Sequence, residues 1–552
     1  MTSDRPSTPL NRDLGRLAGV EHDLLVIGGG ITGLMAAYDA AQRGLSVALV
    51  ERGDFGAATS SNHFKTVHGG LRYLQDGDLR RMRRSVLERR ALARMAPHLV
   101  APLAFITPTG RKLTRSRAAF TAAFEIDDWI GRDRNDGLPP SLHLPAGRVL
   151  DAGECRRRCP GLDLGDATSG ALWYDYQMPL ADRLTLAVAL AAHAHGATLV
   201  NYAEALAPIR RDGRMAGVRA REVGDGSQPP FEIRARVTLN ASGPWVRAVL
   251  AACGIDRQAP LLKAVNLVTT RSASEPALVG ANAHGRALVL APWRGRAFLG
   301  TIESAIPHGP DDGSVSGEEL ETYIGEANAT FPGLNLLFDE VALVHRGLVP
   351  AAIVNGRPTM QRHSEIVDHR GDGLPGLLSA VSVKYTTARH VAERAIDLVV
   401  GLLGRATAPC RTDAAPLPGA TRDAPGLAAG LVGAHAGWID AGVAQHLAAS
   451  YGTACAAVTG LAAADASLRG RVAPEAPVLA AEIAHAARHE AAMTLTDAVV
   501  RRTSLGAAGY PGDAAARASA GILEREFGWR PDRTARQIAA LKAFYPPVTA
   551  GS

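Results

Sequence analysis

The stretch Asp23–Glu51, DLLVIGGGITGLMAAYDAAQRGLSVALVE, decides the fold. Asp23–Ile27 is a short apolar run suited to a strand buried on both faces, and Ser46–Val50 is a second such run. Between them Thr32–Arg43 has helix-forming composition. Gly28-Gly29-Gly30-Ile31-Thr32-Gly33 is G-x-G-x-x-G placed directly at the join of strand and helix. The first glycine permits the tight turn, the second lets backbone approach a pyrophosphate, and the third lets helix and strand pack closely. The helix N-terminus meanwhile faces negative charge. Glu51 ends the second strand, where a carboxylate accepts hydrogen bonds from ribose hydroxyls. The unit predicts a βαβ dinucleotide clamp, with Gly28, Gly30, Ile31, Thr32, Gly33, Glu51 and Arg52 against the ligand.

NAD and FAD share this fingerprint, so the choice between them rests on the residues C-terminal to the clamp. Thr59-Ser60-Ser61, Lys65 and His68-Gly69-Gly70-Leu71-Arg72-Tyr73 form a polar, glycine-bearing segment just beyond the ribose-binding strand. A pyridine nucleotide offers no obvious use for it. A buried flavin does, because its pyrophosphate and ring edges need donors along a long path. FAD is therefore the expected cofactor.

At 552 residues the chain has room for two to four folding units and a large buried site. A net charge of +6 is modest at this length and does not argue for nucleic acid. Charge concentrates only at Leu79–Met95, where seven arginines interleave with apolar residues at helical spacing. That run reads as a solvated helix face, with contact to anionic lipid or an acidic partner as the alternative. Five scattered cysteines are not a disulfide framework and fit a reducing cytoplasm, and Cys155 and Cys159 lack the companions of a metal set. No apolar stretch reaches the roughly 18 to 20 residues of a membrane span. Residues 1–20 read as a flexible tail rather than a signal sequence.

Further along, Thr185–His193 reads as a helix, Thr198–Asn201 and Val237–Asn240 as strands, and Leu261–Ile302 as strands and turns. Leu377–Val383 reads as a strand leading into a helix over Thr386–Val400. The composition changes at 406–424, rich in Pro, Ala and Thr. This gives interleaved FAD-binding and substrate domains over 21–405, a linker at 406–424, and a helical domain over 425–552.

At these residues the chain resembles the FAD-dependent glycerol-3-phosphate dehydrogenase family, within the wider group of glycine and D-amino-acid oxidase-like flavoproteins. The resemblance rests on VIGGGITGLMAAYDAAQRGLSVALVERGDF (Val26–Phe55), ATSSNHFKTVHGGLRYL (Ala58–Leu74) and LERRALARMAPHLVAPLAFITP (Leu87–Pro108). NASGPWV (Asn240–Val246), APW (Ala291–Trp293), KYTTAR (Lys384–Arg389) and the C-terminal HEAAMTLTDAVVRRTSLG add to it. It implies an α/β fold: a Rossmann-type FAD-binding domain, an interleaved antiparallel β-sheet substrate domain and a C-terminal α-helical cap. It implies oxidation of a secondary alcohol of a small phosphorylated polyol by hydride transfer to flavin N5, with quinone or oxygen taking the electrons. A cytoplasmic enzyme peripheral to the inner face of the membrane, and a homodimer, are the matching expectations.

By matched motif, Ser242, Gly243, Trp245, Tyr385, Thr386 and Thr387 would join the cofactor site. Arg72 and Tyr73 would line the substrate pocket, His68 would lie beside the flavin, Lys384 between flavin and substrate, and Arg362 would hold phosphate. Chemistry supports these roles: a guanidinium grips phosphate through paired hydrogen bonds, and a helix N-terminus beside Lys384 stabilises negative charge on a reduced ring. Imidazole suits proton abstraction from a hydroxyl, which makes His68 the candidate base.

The substrate side departs from the family pattern. Lys263-Ala264-Val265-Asn266 has asparagine where the family has a histidine, and Val349 stands where it has a phosphate-binding arginine, with Arg346 nearby. Ser382-Val383 replaces a glycine pair, and Ala388 a tyrosine. These changes leave open a non-phosphorylated alcohol, hydroxy acid or amine as substrate, and a non-catalytic flavin-binding protein.

Overall fold

The computed structural model describes residues 9–110, 115–159, 169–224, 228–257, 260–283, 285–354 and 356–546. Its organising unit is strand β1 (Glu21–Ile27), helix α1 (Ile31–Gln42) and strand β2 (Val47–Val50). The two strands run parallel, Leu24 opposite Val47 and Ile27 opposite Val50. Strand β3 (Thr198–Val200) extends the sheet beyond β2. On the other side β4 (Phe231–Asn240) pairs with β1 and β5 (Leu377–Val381) with β4, all in parallel. Apolar runs such as Val47–Val50 are buried throughout because the sheet is covered on both faces. One cover is α1 with helices α2 (Ala181–Ala194) and α3 (Ala388–Leu403), whose alanines let them pack closely. The other is the antiparallel pair Ala203–Arg211 and Arg214–Glu222 with helix Val246–Ala252.

A second sheet, ten-stranded among the described residues, is mostly antiparallel. Its strands include Ala101–Pro108, Ser169–Gln177, Leu261–Thr269, Arg296–Glu303 and Val341–Val354, drawn from segments that alternate with those of the first sheet. The two sheets are therefore interleaved in sequence, as expected. Residues 405–423 form neither helix nor strand, and beyond them lies a helical body, Ala424–Ala434 to Pro531–Ala543, with its own apolar core.

Three expectations need correction. Of the supposed flexible tail, residues 1–8 lie outside the described residues, but 9–20 are packed: Leu14–Gly19 is helical, Leu10 and Leu17 are buried, and Arg12 pairs with Glu222 at 2.6 Å. Apolar side chains spaced along the segment drive it onto the sheet. The arginine-rich helix, observed over Leu79–Met95, keeps only part of its charge on a solvated face, at exposed Arg80 and half-buried Arg84. Arg83 and Arg90 bind Asp133, buried Arg89 pairs with Asp175, and Arg94 donates to the Asp136 carbonyl. The charges of Arg83, Arg89 and Arg90 are thus committed to internal carboxylates rather than to a surface ligand. Finally, Ala441–Ala464 is long and apolar enough by composition to cross a membrane. Val443, Leu447, Tyr451, Cys455 and Val458 nevertheless form the core of the helical body, and the segment breaks at Gly452 (φ +52°).

Candidate functional site

An elongated cavity of about 560 Å³ opens at the carboxyl ends of β1, β2, β4 and β5. The glycine turn shapes its centre. Gly28 has φ +106°, which side chains resist, and a Cβ there would lie 2.6 Å from the Ala241 carbonyl. A Cβ on Gly33 would lie 2.0 Å from the Gly28 carbonyl, so only glycine lets α1 sit this close to β1. Gly28, Gly30, Ile31, Thr32, Glu51, Arg52, Thr59, Ser60, Ser242, Gly243, Trp245, Lys384 and Tyr385 all line the cavity.

Glu51 accepts hydrogen bonds from the backbone N–H of Gly29 (2.6 Å) and Gly53 (2.7 Å). Burial pushes its carboxyl pKa up, and those two donors pull it back. Each oxygen keeps a lone pair for a hydroxyl. The Ser60 hydroxyl accepts from the Ile31 N–H at 2.9 Å, fixing the start of α1. At one end Arg52 lies over the Trp245 ring, 4.5 Å from its centroid, and Trp245 donates to Asp311.

Other expected cofactor contacts stand behind this wall. Ser61 donates to the Gly56 carbonyl and to Asp182, and buried Lys65 donates to the Ser61 carbonyl at 2.5 Å. The Ser61 hydroxyl and one N–H of Lys65 are thus engaged by the protein itself. Gly69 donates its N–H to Asp175, and Gly70 (φ +86°) leaves room for the Tyr73 ring. Helix α3 begins at Ala388 rather than Thr386; Thr387 takes the N-cap position without a side-chain capping bond, and buried Thr386 lies in the turn before it. One cavity-lining residue escaped the sequence reading. His63 stacks on Tyr385 with centroids 4.6 Å apart and accepts from the Lys65 N–H through Nδ1. Its buried Nε2 then carries a hydrogen with no protein partner.

Lys384 joins this cavity to a cationic cluster. Its Nζ lies 3.9 Å from the centroid of the Tyr73 ring, and the Arg81 guanidinium 4.2 Å from the same centroid. His68 meets Tyr73 edge-on at 5.9 Å. Burial and the charge of Arg72 push the Lys384 amine down to about 7. Burial, then Lys384, Arg72, Arg89 and Arg81, hold the His68 imidazole well below its ordinary value. His68 is therefore neutral near pH 7.

The remaining expected substrate residues are less uniform. Arg362 is exposed and pairs with Asp76 at 3.3 Å, next to the cluster. Asn266 is fully buried; its Oδ1 accepts from Thr301 at 2.7 Å and its Nδ2 has no partner. Arg346 does not line the cavity. Along its strand it alternates with Gly347 and Val349, so its side chain takes the opposite face from Val349. Val349 gives the cavity wall an apolar surface there.

Residues 23–394 match the family model of FAD dependent oxidoreductases, and residues 410–534 that of the C-terminal domain of alpha-glycerophosphate oxidase. The chain is 29% identical to a glycerol-3-phosphate dehydrogenase of Synechocystis sp., covering 96% of this chain and 97% of that one. It is 32% identical to glycerol-3-phosphate dehydrogenase 1 of Mycobacterium tuberculosis, covering 90% and 93%. Among solved structures, the glycerol-3-phosphate dehydrogenase from Bacillus halodurans complexed with FAD superposes with a TM-score of 0.77 at 25% identity, over 99% of both chains.

Proposed function

The chain belongs to the FAD-dependent glycerol-3-phosphate dehydrogenase family, and on that premise we propose that it oxidises the secondary alcohol of a small phosphorylated polyol to a ketone. The glycine cradle, Glu51 with two backbone donors, and the unpaired Nε2–H of His63 fit a dinucleotide flavin. Gly28–Gly33 would hold the pyrophosphate, Glu51 and Arg52 the ribose, and Ser242, Gly243 and Trp245 the flank of the cavity. Lys384, Tyr385 and His63 would stand at the ring end. Bound FAD supplies the hydride acceptor.

The observation that carries the substrate class is the cationic cluster reached from the cavity through Lys384. Arg72, Arg81 and Lys384 have no carboxylate within ion-pair distance among the described residues, whereas Arg83, Arg89 and Arg90 of the neighbouring helix do. Cations left unneutralised in a half-buried site favour an anionic ligand. His68 would take the hydroxyl proton as the carbon gives up its hydride. Its basicity is suppressed by the same cations, so a bound phosphate dianion, by offsetting them, makes it a stronger base only when substrate is present. The electrons then leave to quinone or oxygen.

The apolar wall at Val349 favours a second reading, a non-phosphorylated alcohol, hydroxy acid or amine. Anaerobic mixing with a panel of polyol phosphates and their dephosphorylated counterparts separates the two. Bleaching of the flavin spectrum by phosphate esters alone is expected. Bleaching only by compounds lacking phosphate would replace the first reading with the second.

A further inference from the structure

Within the arginine-rich helix Leu79–Met95 the side chains divide into two kinds. Arg83, Arg89 and Arg90 are held by Asp133 or Asp175. Arg80, Arg81 and Arg84 have no such partner among the described residues, and of these three Arg81 is the one that stacks on Tyr73. Asp78 accepts from its backbone N–H as the helix cap, while the guanidinium lies against the Tyr73 ring on the side of the fold where Arg72 and Arg362 gather. Burial first, then Arg72 and Arg362, lower its pKa against the pull of Asp78 and Asp76. A stacked guanidinium is pre-organised, its plane fixed by the ring and its edge donors free to meet a planar or tetrahedral anion.

We propose that Arg81 is a specificity-determining ligand of the substrate's phosphate, supplying from the helix the guanidinium that the cavity wall lacks at Val349. This rests on the phosphorylated-polyol reading of the site. It also explains how the apolar wall and a phosphate ester can coexist.

The test uses the FAD-loaded full chain, with Arg81→Gln and Arg81→Lys. Anaerobic flavin reduction by glycerol 3-phosphate gives KM and kcat, and perturbation of the flavin spectrum by inorganic phosphate gives a Kd independent of turnover. Loss of one charge-assisted hydrogen bond predicts that Arg81→Gln raises both KM and the phosphate Kd by roughly 10- to 100-fold, with kcat changed far less. Arg81→Lys should fall between, since ammonium keeps charge but not the fork. Adding Val349→Arg to Arg81→Gln should recover part of the loss by restoring a guanidinium from the wall. If wild type is reduced by glycerol 3-phosphate and both Arg81 variants keep KM and Kd within about 2-fold, the assignment of Arg81 falls alone. If wild type neither bleaches with any phosphate ester nor binds inorganic phosphate, the parent reading falls and takes Arg81 with it.

Discussion

Replacing Asp54 by asparagine should loosen both the helical body and the cofactor loop, because one buried carboxylate holds them together. Asp54 lies three residues after Glu51 and is fully buried. Its oxygens accept from Arg502 Nη1 (2.7 Å) and Nη2 (2.6 Å), Arg501 Nε (2.6 Å) and Asn201 Nδ2 (3.2 Å). At a charge separation near 4 Å and an effective dielectric constant near 20, each arginine contributes about 4 kcal/mol of attraction. Desolvating the carboxylate and two guanidiniums cancels a large part of the roughly 8 kcal/mol total, leaving a cost of about 3–5 kcal/mol when the carboxylate is removed. Arg501 retains Asp497, so most of the penalty falls on Arg502, whose remaining strong acceptor is the Glu490 carbonyl. Against a typical total of 5–15 kcal/mol this is large. Guanidinium chloride unfolding of wild type and Asp54→Asn at pH 7, with FAD affinity measured in parallel, reads the effect; FAD should bind more weakly because the Glu51–Asp54 loop is released. The pH dependence has a fixed sign. The two arginines hold the Asp54 pKa below its unfolded value, so its contribution is complete above about pH 4 and is lost as pH falls through the folded value. The gap between the two proteins should therefore narrow on acidification. A difference under about 0.5 kcal/mol at pH 7 would refute the interlock.

Gly33→Ala should purify without a flavin spectrum, because its Cβ would sit 2.0 Å from the Gly28 carbonyl and force α1 off the turn; an intact spectrum contradicts the packing argument. His68→Gln should lower kcat about 10²- to 10⁴-fold with KM nearly unchanged, and a proportional rise in KM instead would make His68 a binding group. The kcat/KM profile should fall as pH rises through about 7, where Lys384 loses its charge, and Lys384→Arg should move that limb to higher pH. A limb unmoved by this substitution assigns it to another group. Arg81→Gln should raise KM while leaving kcat nearly in place, the opposite split from His68→Gln.

The cofactor half was legible because its chemistry is local. The turn Gly28–Gly33, the strand before it and Glu51 lie within one βαβ unit, and backbone geometry at a glycine leaves few alternatives. The strand Leu377–Val381 and the Val237–Asn240 end of the strand Phe231–Asn240 were likewise announced by short apolar runs. What sequence could not supply was the partner of each polar group. Ser61 and Lys65 have the right residue types for a flavin path, yet Asp182 takes the Ser61 hydroxyl and the Ser61 carbonyl takes one N–H of Lys65. Residues 9–20 looked like a tail because their few leucines have no periodic company, and the surface that buries them is built from strands far along the chain.

The substrate half was harder for the same reason in stronger form. Its cations converge from four separate segments: the Arg72–Tyr73 turn, the helix carrying Arg81, the segment after Arg357–Met360 that carries Arg362, and the turn before α3 that carries Lys384. Arg346 is near Val349 in sequence, but alternation along a strand points it to the other face. The arginine that does face the cluster was hidden in a run of seven, where composition cannot distinguish a guanidinium with a carboxylate partner from one without. Only the positions of Asp133 and Asp175 make that distinction. They neutralise Arg83, Arg89 and Arg90, while Arg81, stacked on Tyr73 beside Lys384, remains as positive charge available to a ligand. An apolar Val349 and a retained anion site are then compatible, because the charge required by a phosphate can be supplied from the helix rather than from the strand.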